Sequence, residues 1–158
     1  VNPDAKVVVT FIESWYDPVK AAEAANAQIA AGADLIFQLG ETFETCREHG
    51  IMCIGNYIDS SVIAPDVVPV SVLVSWEPHL NYLIDEWKKH KDSGEPYAAP
   101  EEPVWYTMAE GGGDLSAVTA EFTDKISAGT VAAIDAARAA IMSGELKVEL
   151  DMSLPVSD

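Results

Sequence analysis

The sequence predicts an α/β fold on a parallel sheet, and three observations carry that reading. Strand and helix signals alternate from the start, which is the pattern of βαβ units. The helices carry start and stop residues at the right places. Hydrophobic residues make up 49% of the 158, enough to build the core of one domain or of one lobe of a larger protein.

The first strand is Lys6 to Ile12, with β-branched residues through Val7-Val8-Val9-Thr10. Asp17 then offers an N-cap carboxylate and Pro18 the first helical position, and the helix through Ala21 to Ala31 stops at Gly32. Asp34 to Gln38 is the second strand, and a short helix from about Glu41 ends at His49-Gly50. Ile51 to Gly55 is the third strand, Tyr57 to Pro69 a loop, and Val70 to Val74 the fourth strand. Ser75-Trp76-Glu77-Pro78 opens a helix that reaches about Lys91. The polar breaker that follows, with Gly94, Pro96, Pro100 and Pro103, is either a hinge or a surface loop. Val104 to Met108 reads as a strand, Gly111-Gly112-Gly113 as a flexible turn, Val118 to Met142 as mainly helix and Lys147 to Leu150 as a last strand. The expected division is residues 1–92 as a lobe of βαβ units, 93–103 as a breaker or hinge, and 104–158 as the elements that complete lobe or hinge.

Composition excludes several function classes. With 26 acidic against 9 basic residues and a net charge of −17, the chain repels phosphate backbones, so nucleic acid is not an expected partner. The acids are scattered, which suits a solvated surface. Cys46 and Cys53 cannot complete a tetrahedral zinc site without clustered histidines; they read as small buried apolar residues, with a disulfide as the alternative. His49, His79 and His90 are dispersed, no serine occupies a GxSxG elbow, and the glycine run lacks P-loop spacing. Neither a metal, a cofactor nor a catalytic constellation is expected. No run of about 18 apolar residues spans a membrane, and Val1-Asn2-Pro3-Asp4 reads as a start in mid-protein, with any signal or anchor upstream.

The chemistry-bearing positions all follow strands. Ligands of open α/β sheets bind outside the carboxyl ends of the strands. Ser14-Trp15-Tyr16 stands there, and Trp15 offers a flat apolar face to a planar heterocycle, alternation placing one of Trp15 and Tyr16 in the core and one outside. Asp59, after the third strand, can accept hydrogen bonds from a ligand, although turn capping is its commoner use. Trp76 repeats the strand, aromatic, proline arrangement; it walls the same pocket or packs on the helix it opens.

The ordered set Asn2-Pro3-Asp4, Ser14-Trp15-Tyr16-Asp17-Pro18, Gly32-Ala33-Asp34-Leu35-Ile36-Phe37-Gln38, Gly50-Ile51, Ile54-Gly55, Ala64-Pro65 and Ile141-Met142-Ser143-Gly144-Glu145-Leu146-Lys147-Val148 resembles the second half of the basic membrane protein family, the purine-nucleoside-receptor-like binding proteins of ABC importers. That resemblance implies a lobe of the type I periplasmic-binding-protein kind, with three layers, and an N-terminal lobe across a ligand cleft that is largely outside this chain. It implies cleft-facing roles for Trp15 and Asp59. Tyr57 stands where nucleoside binders carry an aspartate that grips the sugar, and Val74 where they carry a lysine, so the implied ligand is a bare purine-like base. The expected ligand residues are Trp15, Asp59, Trp76, Ser14 and Tyr57, and the expected partners are that ligand and an ABC permease. The implied place is extracytoplasmic, as a periplasmic protein or membrane-anchored lipoprotein. The rival readings are a ligand-sensing receptor domain with the same cleft and, behind it, a doubly wound α/β enzyme.

Overall fold

The computed structural model describes residues 3–39, 42–97, 100 and 102–149. Asp17 caps α1 (Pro18–Ala30), its Oδ1 accepting the Lys20 amide at 3.0 Å. Gly32, at a φ of +104°, turns the chain into β1 (Leu35–Phe37). The helix α2 (Phe43–His49) begins where the Gln38 side chain accepts the Thr42 amide at 2.7 Å, and left-handed Gly50 ends it. Then come β2 (Met52–Tyr57), β3 (Ser71–Val74), α3 (Glu77–Ser93), β4 (Gly113–Leu115) and α4 (Ala128–Ser143). The sheet order is β1-β2-β3-β4. Ile36 pairs with Cys53 and Asn56 with Val72 in parallel ladders, whereas Leu73 faces Asp114 in an antiparallel one. The protein is thus α/β on a mostly parallel sheet.

The core gathers Ile36, Cys46, Cys53, Ala64, Val67 and Val68, with Ile29, Ala33, Phe43 and Ile51 packed against it. Cys46 and Cys53 are joined as a disulfide, so the alternative to free buried thiols is the one realised. The bridge ties α2 to the start of β2 inside that core. Arg47 adds a fork on the surface: its Nε and Nη2 donate to Asp66 at 2.5 and 2.7 Å, and Nη1 donates to Glu44 at 2.5 Å.

Four expected elements differ. Residues 6–12 form no strand among the described residues; β1 takes its parallel partner from β2 instead, and Val7 stays 82% exposed. Strand propensity describes how a side chain fits a pleated, half-buried surface, so it marks a segment without securing a ladder. Val104 to Met108 is not a strand either, because β3 spends its second edge on Gly113–Leu115. The helix expected over Val118 to Met142 is split: Thr119 donates to the Val68 and Pro69 carbonyls, Ala120–Phe122 makes a 3-10 turn that buries Phe122, and Ser127 caps α4 by accepting the Thr130 amide at 3.1 Å. Lys147 to Glu149 form no strand, and Glu41 and Leu150 lie outside the described residues.

Candidate functional site

The carboxyl ends of α1 and α2 lead by short connections into the parallel strands β1 and β2, and the His49 ring at the end of α2 bonds Asn26 in the later half of α1 at 2.8 Å. Ser14, Trp15 and Tyr16 directly precede α1. Tyr57 closes β2 and Asp59 follows it, while Trp76 stands two residues past the end of β3, which is parallel to β2. Tyr57, Asp59 and Trp76 thus follow the carboxyl ends of neighbouring parallel strands, whereas Ser14 and Trp15 lead into α1.

Their individual settings differ. Trp15 is 93% exposed and Tyr16 69%, so the alternation that would send one ring inward does not hold here. Ser14 Oγ accepts the Tyr16 amide at 3.3 Å, a local turn bond. Asp59 is partly buried and does its capping work through one oxygen: Oδ1 accepts the Ser61 amide at 3.0 Å and the Ser61 hydroxyl at 2.6 Å. Trp76 is 60% exposed and touches His79 one turn along α3, with ring centroids 5.6 Å apart. Packing on the helix that it opens is the one of the two readings that the His79 contact realises.

Two residues beside these segments hold a backbone conformation that side chains disfavour. Among the described residues, Glu13 at a φ of 54° and Tyr57 at 69° are the non-glycine residues with positive φ. Such geometry costs about 1–3 kcal/mol and gathers at ligand clamps and active sites. One precedes Ser14-Trp15 directly and the other precedes Ile58-Asp59 directly.

Sequence reasoning missed the supports of the Asp59 loop. Buried Ser71, at the head of β3, accepts the Ser60 amide on its Oγ at 3.0 Å. Ser60 and Ser71 close over Gly55, where an added Cβ would stand 2.3 Å from Ser71 Oγ and 2.7 Å from Ser60 Oγ. Gly55 is therefore a close-approach glycine. The signal for it was a glycine inside a strand, which marks such approaches. On the far side of the sheet, the Arg138 guanidinium forks onto Asp114 and holds its carboxyl below the ordinary aspartate range.

A surface cavity of about 330 Å³ opens at the first turn of α3, lined by Glu77, Pro78, Asn81, Glu110 and Gly111. It contains none of the five expected residues. Thr107 donates to Glu110 from its amide at 2.9 Å and its hydroxyl at 2.8 Å, which keeps that carboxyl below its usual range and ionised.

Comparison with solved structures finds the same α/β fold elsewhere. An ABC transporter solute-binding protein from Aeropyrum pernix K1 superimposes with a TM-score of 0.63 at 15% identity, over 87% of this chain and 46% of that one. A transcriptional activator of the comK gene from Bacillus halodurans does so with a TM-score of 0.62 at 16% identity, over 86% and 46%. At those identities the likeness is one of fold.

Sequence then fixes the family. Residues 1–98 match the family described as ABC transporter substrate-binding protein PnrA-like, and the chain belongs to it. A purine-binding protein of Brucella abortus (strain 2308) is 34% identical over 114 residues, which is 70% of this chain and 31% of that relative. The chain thus spans about a third of that curated relative and about half of the solved structures.

Proposed function

We propose that this chain is the C-terminal lobe of an extracytoplasmic solute-binding protein that captures a purine-like base and delivers it to an ABC permease. The observation that carries the reading is the pair of left-handed non-glycine residues, Glu13 and Tyr57, set directly before the two segments that bear Trp15 and Asp59. Strain of that kind is kept where a site needs it. Family membership and the purine-binding relative in Brucella abortus support the ligand class.

In this reading Trp15 supplies the stacking face, because its ring is free of the core and an offset stack on a heterocycle suits its quadrupole. Asp59 spends Oδ1 on its own loop and turns Oδ2 to a ring N–H or amino group of the ligand. Trp76 and Tyr57 complete the wall, and Ser14 holds the turn that carries Trp15. An N-terminal lobe closes over the ring and excludes water, the hinge motion of two-lobed binding proteins. Tyr57, in place of an acidic residue, and Val74, in place of a lysine, favour a free base over a nucleoside.

Fluorescence tests it. In the intact two-lobed protein, adenine is expected to quench tryptophan emission saturably, and Trp15→Ala is expected to remove most of the quenching and weaken binding by about tenfold or more, the scale of a lost base stack. Quenching that is identical in Trp15→Ala would remove Trp15 from the site.

A further inference from the structure

The glycine run and the histidine that the ligand site leaves aside meet behind Trp76. His79 lies one turn further along α3, its ring 5.6 Å from the Trp76 ring and tilted by 53°. On its other side Tyr106 meets it edge-on, with centroids 4.5 Å apart and planes at 76°. The Val104 carbonyl lies 3.1 Å from His79 Nε2. A carbonyl only accepts, so Nε2 donates this bond. Nδ1 is buried with no hydrogen-bond partner among the described residues, and the bond to Val104 and two ring contacts hold the imidazole.

The backbone is locked to the same place. Gly112 donates to the Thr107 carbonyl at 2.9 Å, and its own carbonyl accepts the Ser75 amide at 3.0 Å, one residue before Trp76. A Cβ on Gly112 would come 2.0 Å from the Tyr106 carbonyl oxygen, so only glycine lets these strands of chain close on each other. Gly111 takes the left-handed turn at a φ of 83°, and Gly113 begins β4 opposite Val74. The run is a buttress with no phosphate to cradle.

We propose that His79 is a positioning residue: held by Val104 and Tyr106, it sets the Trp76 ring at the ligand-facing edge. The proposal rests on the reading of Trp76 as part of the purine site. An exposed indole with no backing would sample several rotamers and lose that freedom on binding, an entropic cost. His79 removes part of that cost before the ligand arrives.

The test uses the intact protein labelled with fluorotryptophan, the Trp76 fluorine resonance being assigned by its loss in Trp76→Phe. His79→Ala and His79→Phe are expected to shift and broaden that resonance without ligand, and to weaken adenine binding by about two- to tenfold. His79→Gln, whose amide N–H can take the place of the Nε2–H toward Val104, is expected to keep the resonance near its wild-type position and the affinity within about twofold. Should His79→Ala fold poorly, the contrast between His79→Phe and His79→Gln decides alone. A Trp76 resonance and an affinity that are the same in wild type, His79→Phe and His79→Gln would overturn the proposal. A wild-type protein that binds no purine while the resonance still moves would instead overturn the ligand reading and leave the positioning role standing.

Discussion

Trp15 gives 93% of its surface to solvent, so its removal touches no core contact. Trp15→Ala is therefore expected to change stability by less than about 0.5 kcal/mol while abolishing tight binding, a separation that thermal melts and titration together would show. Gly55→Ala should behave the other way. Its Cβ enters the space of Ser60 and Ser71, so a loss of about 1–3 kcal/mol in denaturant unfolding is expected, and an unchanged midpoint would mean the serines move aside. Tyr57 tests the strain directly. Tyr57→Gly relieves a left-handed φ that costs about 1–2 kcal/mol, offset by the entropy of glycine, so stability should be no lower than wild type while purine affinity falls. At this scale Trp15, Asp59 and Trp76 stand out as candidates because aromatics and a carboxylate after strand signals are visible in one sequence. Glu13 and Tyr57 were not legible as strained, since φ is set by the fold and not by residue type.

Helices were read closely from sequence because their signals are local. Asp17 and Pro18 open α1, and Gly50, Gly94 and Gly144 take left-handed φ at the ends of α2, α3 and α4. Strands were read less well. The runs at 6–12 and 104–108 have the right side chains, yet a strand exists only when another segment pairs with it, and β3 chose Gly113–Leu115. The disulfide belongs to this scale as well. Cys46–Cys53 closes a sequence separation of 7, for which the loop-entropy model gives about 2 kcal/mol, so reduction with dithiothreitol should lower the thermal midpoint. An identical midpoint with and without reductant would show that the closed loop adds nothing to burial of the two sulfurs.

For the whole molecule, charge and pH are linked through two surface forks. Asp66 and Asp114 are held below the ordinary aspartate range, each chiefly by the side-chain hydrogen bonds of its arginine, Arg47 and Arg138. Their folded pKa values lie below the unfolded ones, so the unfolded chain takes up protons first. The stabilisation is complete above the unfolded range and disappears as pH falls through the depressed folded values, below about pH 4. Thermal midpoints in the double variant Asp66→Asn, Asp114→Asn are expected to show a shallower acid slope than wild type. Equal slopes would assign acid sensitivity to other carboxylates among the 26 acidic residues.

The central claim is that this lobe forms one side of a site for a purine-like base. Isothermal titration of the intact two-lobed protein with adenine, hypoxanthine, adenosine and guanosine tests it most directly. A saturable heat with a free base, tighter than with its nucleoside, is the predicted result. Flat heats for every base and nucleoside would contradict it.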